Sequence, residues 1–226
     1  MGTGSRDGGG HYFTDLPSAP SRPGAVDLSL PDLTATLRTD RGVFAADRLD
    51  AGTKLLLVET GVRPEAAGAD WPDGDLVDLG CGYGPIAVAL SMRHPDRTVW
   101  AVDVNERARE LCALNADAAG VGDRVRVVAP GAVPDDVGVA ALFSNPPIRI
   151  GKPALHDLLD TWLGRLVPGA EAWLVVQKHL GADSLAAWMK DSGHGVERVC
   201  SRRGYRLLRV TTRGRSGQPD GVHPQT

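Results

Sequence analysis

Apolar positions follow two spacings along this chain, and together they predict its secondary structure. Short apolar runs, typical of buried strands, alternate with stretches that repeat apolar residues every three or four positions, as amphipathic helices do. Strands are predicted at 76–79, 98–102, 125–128, 139–144 and 172–176. Helices are predicted at 85–93, 105–120, 155–166 and around 185–189. This alternation after residue 71 predicts an α/β domain with a mostly parallel sheet.

Two further apolar segments near the end of the chain should pair with each other. Val196–Cys200 and Tyr205–Val210 are separated by the short turn Arg202-Arg203-Gly204. A turn this short requires antiparallel pairing, because parallel strands need a long crossover. The sheet is therefore predicted to contain one antiparallel strand near its C-terminal end.

The region before residue 71 is predicted to form an extension of that domain. Alternating apolar and polar residues at 26–30 and 33–37 predict a β-hairpin. Asp50 is a candidate N-cap for a helix that runs to about Thr60, and Phe44 falls in the loop before this helix.

The composition is ordinary for a globular protein, with 42% hydrophobic and 23% charged residues among 226. This length fits one large domain with an extension better than two domains. We expect a disordered N-terminus at 1–10, an extension with the hairpin and helix at 11–70, the catalytic domain at 71–212 and a disordered tail at 213–226.

Charge, apolar runs and cysteine content limit the binding partners and the cellular location that we expect. The net charge of -3 argues against indiscriminate nucleic-acid binding. Seven arginines and no acidic residue lie between Arg198 and Arg215, which predicts either a phosphate-contacting patch or a solvated edge with a basic tail. The chain shows no apolar run of membrane-spanning length and no signal-peptide core, and its three cysteines have no metal-like spacing. We expect a cytoplasmic protein with no metal and no membrane partner.

The chain is organised around Asp78-Leu79-Gly80-Cys81-Gly82-Tyr83-Gly84-Pro85, which lies between a predicted strand and a predicted helix. Glycines at 80, 82 and 84 let the backbone pass close to a bound molecule. A dinucleotide site would need a third glycine where Pro85 stands. The spacing instead resembles motif I of the class I S-adenosylmethionine-dependent methyltransferases, with a structural turn as the alternative.

An acidic residue follows the second predicted strand of this domain, in Val102-Asp103-Val104-Asn105. Asp103 lies about 20 residues past the glycines, where an acid can accept hydrogen bonds from ribose hydroxyls. The alternative is a helix cap. Asn105 can provide that cap, which leaves Asp103 free for the ribose.

The predicted strand at 139–144 ends in Asn145-Pro146-Pro147. The prolines fix the backbone, so the Pro146 carbonyl is held in one direction, and Asn145 adds a side-chain carbonyl acceptor. Two adjacent acceptors suit an NH2 group whose lone pair is conjugated and must be aimed. A simple turn is the alternative, but the neighbouring methyl-donor loop favours amine binding.

Several segments resemble the small-subunit ribosomal RNA guanine-N2 methyltransferase family more specifically. They are residues 42–57 with Phe44, the segment 145–152, Gln177-Lys178 and His11-Tyr12-Phe13. The glycine loop, Asp103 and Asn145-Pro146-Pro147 resemble the wider group of methyltransferases that act on exocyclic or amide nitrogens. The similarity covers roughly residues 11–210. It implies a class I methyltransferase, Rossmann-like fold, S-adenosylmethionine as donor, and a guanine in ribosomal RNA or the small ribosomal subunit as acceptor.

The resemblance also implies a set of site residues. The catalytic group is Asn145, Pro146 and Pro147, and the cofactor group is Phe44, Asp78, Gly80, Cys81, Gly82, Gly84, Asp103, Val104, Ala129 and Asn145. The substrate or RNA group is Phe44, Ile148, Arg149 and Lys152. Ile148 stands where many relatives have an aromatic residue, and Ala129-Pro130-Gly131 stands where an acid or amide often meets the adenine.

Two other functions stay open from the sequence. The same Asn-Pro-Pro chemistry could bind a protein glutamine amide or a small-molecule amine, since each presents an NH2 group. A methyltransferase-like scaffold that binds RNA or a partner without catalysis is the second alternative. Intact Asp78, Asp103 and Asn145 favour an enzyme.

Overall fold

The computed structural model of the protein describes residues 21–62 and 71–212. The predicted disordered ends at 1–10 and 213–226, and the His11-Tyr12-Phe13 cluster, lie outside the described residues.

The elements of the described part follow the predicted alternation. Its strands are β1 (Gly24–Ser29), β2 (Thr34–Thr39), β3 (Asp75–Leu79), β4 (Val99–Val102), β5 (Val125–Val128), β6 (Val139–Ser144), β7 (Leu166–Gln177), β8 (Gly195–Arg202) and β9 (Tyr205–Thr211). Its α-helices are α1 (Ala51–Val62), α2 (Pro85–Arg93), α3 (Glu106–Ala118), α4 (Lys152–Leu163) and α5 (Ala182–Asp191). None of these helices is long and apolar enough to cross a membrane.

The strands form a hairpin and a larger sheet. β1 pairs with β2 antiparallel, which confirms the predicted N-terminal hairpin. Within the described residues the second sheet has seven strands in the order β5-β4-β3-β6-β7-β9-β8. The first five are parallel, and β9 runs antiparallel to both β7 and β8. The α/β fold class, with one reversed strand near the C-terminus, is therefore confirmed.

Helices cover both faces of the large sheet, because successive strand residues point to opposite sides. On one face, Leu76 and Phe143 pack in a cluster that also includes residues of α1, α2, α3 and the hairpin. On the other face, Val77 and Leu142 pack in a cluster with residues of α4 and α5. The core strands are buried on both sides, as is usual for parallel sheets.

The strand order reverses between β3 and β6, and this is where the two chemical motifs meet. Chain connections run from β3 towards β5 on one side and from β6 towards β7 on the other. Open α/β sheets bind ligands at the carboxyl ends of strands at such a reversal. The buried Ser144 hydroxyl donates a 2.6 Å hydrogen bond to the Leu79 carbonyl, which ties the ends of β3 and β6 together.

One buried amide helps to fix the hairpin to the glycine loop and α3. Asn115 of α3 is fully buried. Its Nδ2 donates to the carbonyls of Arg38 and Tyr83 at 2.9 and 2.8 Å, and its Oδ1 accepts from the Arg38 N–H at 2.7 Å. The side chain therefore joins β2, α3 and the glycine loop.

The predicted end of α4 and the predicted start of β7 are wrong. The apolar stripe from Leu155 predicts a helix that continues to Leu166 and ends at Pro168-Gly169, but α4 ends at Leu163. Leu166 instead begins β7 and pairs with Val139. The apolar pattern of the helix extends to Leu166 in the sequence because Leu166, although in a strand, packs in the same apolar cluster as α4. Pro168 and Gly169 lie where the β6–β7 register shifts, so they interrupt the pairing instead of ending a helix.

We expect Asn115→Ala to lower the free energy of unfolding by about 2–3 kcal/mol. The substitution removes the three hydrogen bonds that Asn115 makes with the backbone of Arg38 and Tyr83, and the Tyr83 carbonyl is left buried without this partner. Chemical denaturation measures the effect, with exposed Glu110→Ala on the same helix as the control. Equal stability of the two variants would contradict this role.

Candidate active site

A cavity of about 690 Å³ opens at the strand reversal, between the glycine loop and the Asn-Pro-Pro segment. This volume is typical of sites for small organic molecules. Both motifs line it, together with the region before α1 and the start of β9. The lining includes Phe44, Asp50, Thr53, Leu79, Gly80, Cys81, Gly82, Tyr83, Asp103, Val104, Asn145, Pro146, Pro147, Ile148, Arg149, Gln177, Leu180 and Tyr205.

The glycine loop forms one wall of the cavity, and its glycines are needed for different reasons. The N–H groups of Gly80 and Cys81 both donate to the Val102 carbonyl, at 2.8 and 3.0 Å, which holds the loop over β4. Gly82 has φ +55°, and a Cβ there would meet no atom within 4 Å. Gly84 has φ +93°, and a Cβ would lie 2.7 Å from the Cys112 sulfur. Gly82 therefore keeps ligand space open, while Gly84 allows α3 to pack closely.

Asp103 lies at the end of β4 with its carboxylate held by the backbone. One oxygen accepts from the Gly82 N–H and the other from the Asn105 N–H, each at 2.9 Å. An ionised carboxylate has about four acceptor sites, so both oxygens can accept further bonds. Asn105 accepts from the Ala108 N–H and caps α3, as predicted. Asp103 is thus available to a ligand in the cavity.

Asp78 lies beneath the loop and does not line the cavity. It is fully buried, and its Oδ2 accepts a 2.9 Å hydrogen bond from the Ala87 N–H in the first turn of α2. Its Oδ1 has no partner among the described residues. Burial raises the pKa of Asp78 to about 8. In this arrangement the side chain holds the start of α2, and its predicted contact with the methionine part of a cofactor stays a prediction.

Asn145 lies at the end of β6 with both side-chain N–H donors in use. Its Nδ2 donates to Asp50 Oδ2 at 2.9 Å and to Thr53 Oγ1 at 3.1 Å. Asp50 Oδ2 also accepts from the Gly52 and Thr53 N–H groups, so it acts as an acceptor and the amide atom that faces it is the nitrogen. The amide carbonyl Oδ1 is consequently the group that Asn145 has left for a ligand.

The two prolines after Asn145 form a tight turn. The Ile148 N–H donates a 2.8 Å hydrogen bond to the Pro146 carbonyl, and Pro147 has φ -75° and ψ 73°. This is the geometry of an inverse γ-turn. The turn fixes the direction of the Pro146 carbonyl and uses one of its two lone pairs, so it can accept one more bond.

The predicted substrate residues divide between the cavity and the surface outside it. Phe44, Ile148 and Arg149 line the cavity, and Phe44 is 64% exposed. The Phe44 segment is fixed from α3, because the Asn105 side chain donates to the Gly42 carbonyl at 3.1 Å and Arg107 donates to the Arg41 carbonyl at 2.8 Å. Lys152 is exposed at the first turn of α4, outside the cavity lining.

Ala129 and Gly84, two predicted cofactor residues, also lie outside the lining. The Ala129 carbonyl accepts from the Ala132 N–H at 2.9 Å in a short 3-10 turn, and the following Pro130 faces the cavity instead. Gly84 precedes α2 and faces Cys112. Their predicted roles at the cofactor stay predictions.

Sequence reasoning missed four polar residues of the cavity. The local pattern indicates Asp50 only as a helix cap, a role confirmed by its bonds from the N–H groups of Gly52 and Thr53. Thr53 and Tyr205 also line the cavity. Thr53 Oγ1 accepts from Asn145 Nδ2, and the Tyr205 hydroxyl donates to Asp50 Oδ1 at 3.3 Å. Burial raises the pKa of Tyr83 to about 12, so its hydroxyl stays protonated and is an unused donor within the described residues.

The residues of this cavity fit S-adenosylmethionine. Three features of the cavity suit an adenosine that carries a charged chain. Gly82 leaves open a space that a Cβ would enter, and Asp103 offers an acidic acceptor. Val104 and Pro130 contribute apolar surface to the wall. No group of three or more His, Cys, Asp or Glu in residues 21–62 and 71–212 is placed to hold a metal ion. Fold and site together define a class I S-adenosylmethionine-dependent methyltransferase.

Comparison with known proteins gives the family. The methyltransferase small domain model matches residues 34–209, and the chain belongs to that family. The Bacillus subtilis uncharacterized protein YbxB is 32% identical over 203 residues, which are 88% of this chain and 97% of that protein.

Other relatives are named as ribosomal RNA methyltransferases. The ribosomal RNA small subunit methyltransferase C of Shewanella amazonensis is 30% identical over 75% of this chain and 50% of that enzyme. The ribosomal RNA large subunit methyltransferase G of Streptomyces avermitilis is 35% identical over 62% of this chain and 36% of that enzyme. The chain thus spans half or less of these two enzymes.

A solved structure shares the fold. The Thermus thermophilus 16S rRNA N2 G1207 methyltransferase, in complex with AdoMet and guanosine, superposes with a TM-score of 0.70 at 20% identity. The match covers 87% of this chain and 52% of that one.

The buried Asp78 predicts a pH dependence of stability. Its folded-state pKa of about 8 exceeds the ordinary value of 3.8, so its neutral form stabilises the fold fully below about pH 4, and that contribution is lost as pH rises to about 8. We expect the free energy of unfolding to fall more steeply between about pH 5 and 8.5 in the wild type than in Asp78→Asn. Denaturant titrations along a pH series measure the difference. Parallel curves would show that Asp78 ionises normally in the fold.

Proposed function

We propose that this methyltransferase transfers a methyl group to the exocyclic N2 amine of a guanine in small-subunit ribosomal RNA. The observation that carries the proposal is the Asn145 amide, whose N–H groups are both taken by Asp50 and Thr53. Its Oδ1 and the Pro146 carbonyl belong to neighbouring residues that both line the cavity, and each has a lone pair left to accept a bond. Such a pair of acceptors matches an NH2 group, which has two donors.

The apolar lining of the cavity supports a nucleic-acid base as the group that receives the methyl. Phe44 is an exposed aromatic ring at the cavity, and stacking of a base on an aromatic ring contributes about 1–3 kcal/mol. Ile148 and Leu180 extend this apolar wall. A planar purine ring makes more contact with such an apolar surface than a narrow glutamine side chain does. The relatives named for ribosomal RNA methylation, and the guanosine named with the Thermus thermophilus enzyme, support the same choice.

The residues present act mainly by orientation. S-adenosylmethionine supplies an electrophilic methyl group when bound. Asn145 Oδ1 and the Pro146 carbonyl accept the two N–H bonds of the amine and aim its lone pair at the methyl carbon. The amine nitrogen would bond to the methyl carbon as the sulfur–carbon bond of the donor breaks, and the amine proton would then leave to solvent. Orientation of this kind accounts for large rate effects without a strong base.

The direct test is incubation of the purified protein with labelled S-adenosylmethionine and isolated small subunits, large subunits or protein-free ribosomal RNA. Digestion to nucleosides and mass spectrometry should show N2-methylguanosine from the small-subunit RNA. Label in large-subunit RNA would redirect the proposal to that RNA. Label in a protein or small amine, with none in RNA, would overturn it.

We expect Asn145→Ala to reduce methyl transfer at least about 100-fold, because the amine loses one of its two orienting acceptors. Binding of S-adenosylhomocysteine, measured by calorimetry, should stay within about threefold of wild type if the residue acts on the acceptor. Near-normal turnover would refute the amine role. Loss of S-adenosylhomocysteine binding would place Asn145 at the cofactor instead.

Asp50 is a positioning residue in this scheme, and two substitutions test it. Serine can still cap α1 but is too short to reach Asn145, so Asp50→Ser should lower kcat about 10-fold or more with little loss of stability. An asparagine side chain can offer an oxygen to the same three donors, so Asp50→Asn should restore most of the activity. Steady-state kinetics and thermal melts measure both. If Asp50→Asn is as inactive as Asp50→Ser, the carboxylate charge is what matters.

A further inference from the structure

A second concavity of about 350 Å³ lies beside the cavity, and its lining is basic. It is formed by Lys178, His179, Ser201, Arg202, Arg203, Gly204, Tyr205 and Arg206, and we call these residues the basic recess. The lining contains no acidic residue among the described part of the chain. It is built from the end of β7 and the turn between β8 and β9.

The backbone holds the recess in a defined shape. Arg203 and Gly204 form the two-residue connection between β8 and β9 with φ of +49° and +82°. Positive φ at both positions is the signature of a type I′ hairpin turn. The Lys178 N–H donates a 2.7 Å hydrogen bond to the Gly204 carbonyl, which fixes the short 3-10 helix at 178–180 against this turn.

The cations of the recess fall into two groups. Arg202 pairs with Glu59, at 2.8 Å, and Arg206 pairs with Asp183. Lys178 and Arg203 are exposed and have no ion-pair partner within residues 21–62 and 71–212. The recess therefore carries uncompensated positive charge on two side chains that a ligand can reach.

The recess adjoins the cavity through a shared residue. Tyr205 lines both, and its hydroxyl reaches Asp50 in the cavity. Gln177 and Leu180, which flank Lys178 and His179 in the chain, also line the cavity. A molecule that places one part in the cavity thus meets the recess with the part next to it.

We propose that the basic recess binds the phosphodiester backbone of the RNA strand next to the target nucleotide. The inference rests on the proposed function, because a base in the cavity remains attached to a phosphate backbone outside it. Flipping a base out of a helix must be offset by other contacts. Phosphate contacts from Lys178 and Arg203 supply them without reading sequence, while the cavity selects the base.

The test compares a double variant with a matched control. Lys178→Gln with Arg203→Asn removes both unpaired charges, and asparagine tolerates the positive φ at 203. The control, Arg126→Gln with Lys190→Gln, removes two exposed charges elsewhere, one of them on β5 at the opposite edge of the sheet. Both proteins are titrated with protein-free small-subunit ribosomal RNA at several KCl concentrations, and methylation kinetics are measured on the same RNA.

We expect the double variant to bind the RNA at least about 10-fold more weakly at low salt, with the slope of log K against log salt reduced by about 1, since each phosphate contact contributes about 0.7. KM for RNA should rise with kcat nearly unchanged, and S-adenosylhomocysteine binding should match the wild type. The control should behave as the wild type. An unchanged slope and KM in the double variant overturn the proposal.

The outcomes also separate this inference from the proposed function. If the double variant shows the expected slope change but the wild type adds no methyl group to the RNA, the proposed function is refuted and the role of the recess is supported. A wild type that methylates RNA while the double variant keeps normal KM refutes only the recess. Recess-dependent binding of poly-glutamate in preference to RNA overturns the RNA backbone as its ligand.

Discussion

The arrangement of the site depends on one carboxylate oxygen, Asp50 Oδ2. It accepts three hydrogen bonds at 2.8–2.9 Å, from the Gly52 and Thr53 backbone and from the Asn145 side chain. The same atom therefore begins α1 and orients the amide at the end of β6. Space here is tight, because a Cβ at Gly52 would lie 2.6 Å from the Tyr205 ring. The segment before the main sheet thus completes the cavity instead of only covering it.

Buried polar groups elsewhere serve the same end by fixing backbone around the cavity. Ser144 joins the ends of β3 and β6, and Asn115 joins the hairpin to the glycine loop. Because both side chains are hydrogen-bonded, they fix the position of the backbone without a large desolvation cost. Asp78 differs, because one oxygen is buried without a partner in the described part of the chain and its pKa is raised. A positively charged ligand above the loop would favour its ionised form.

Local patterns in the sequence predicted most of the fold and part of the cavity lining. The glycine loop, Asp103 and Asn145 follow strands, so their meeting at one sheet edge follows from topology. The contacts of Asn145 with Asp50 and of Tyr205 with Asp50 span 95 and 155 residues, and no local pattern encodes them. The predicted end of α4 is wrong for a related reason. Leu166 faces the core whether it lies in a helix or a strand, so its hydrophobicity does not distinguish the two.

The arginine-rich end of the chain shows why charge must be assigned residue by residue. Arg209 forms a bidentate pair with Glu171, at 2.7 Å for both bonds, and lies over the Trp173 ring. Arg206 is buried and paired with Asp183. These two cations hold β9 against its neighbours, so the sequence run overstates the charge available to a ligand. Among the described residues, Lys178 and Arg203 of the basic recess are exposed without an ion-pair partner, beside the cavity. A protein with a net charge of -3 can therefore still present a local site for an anionic strand.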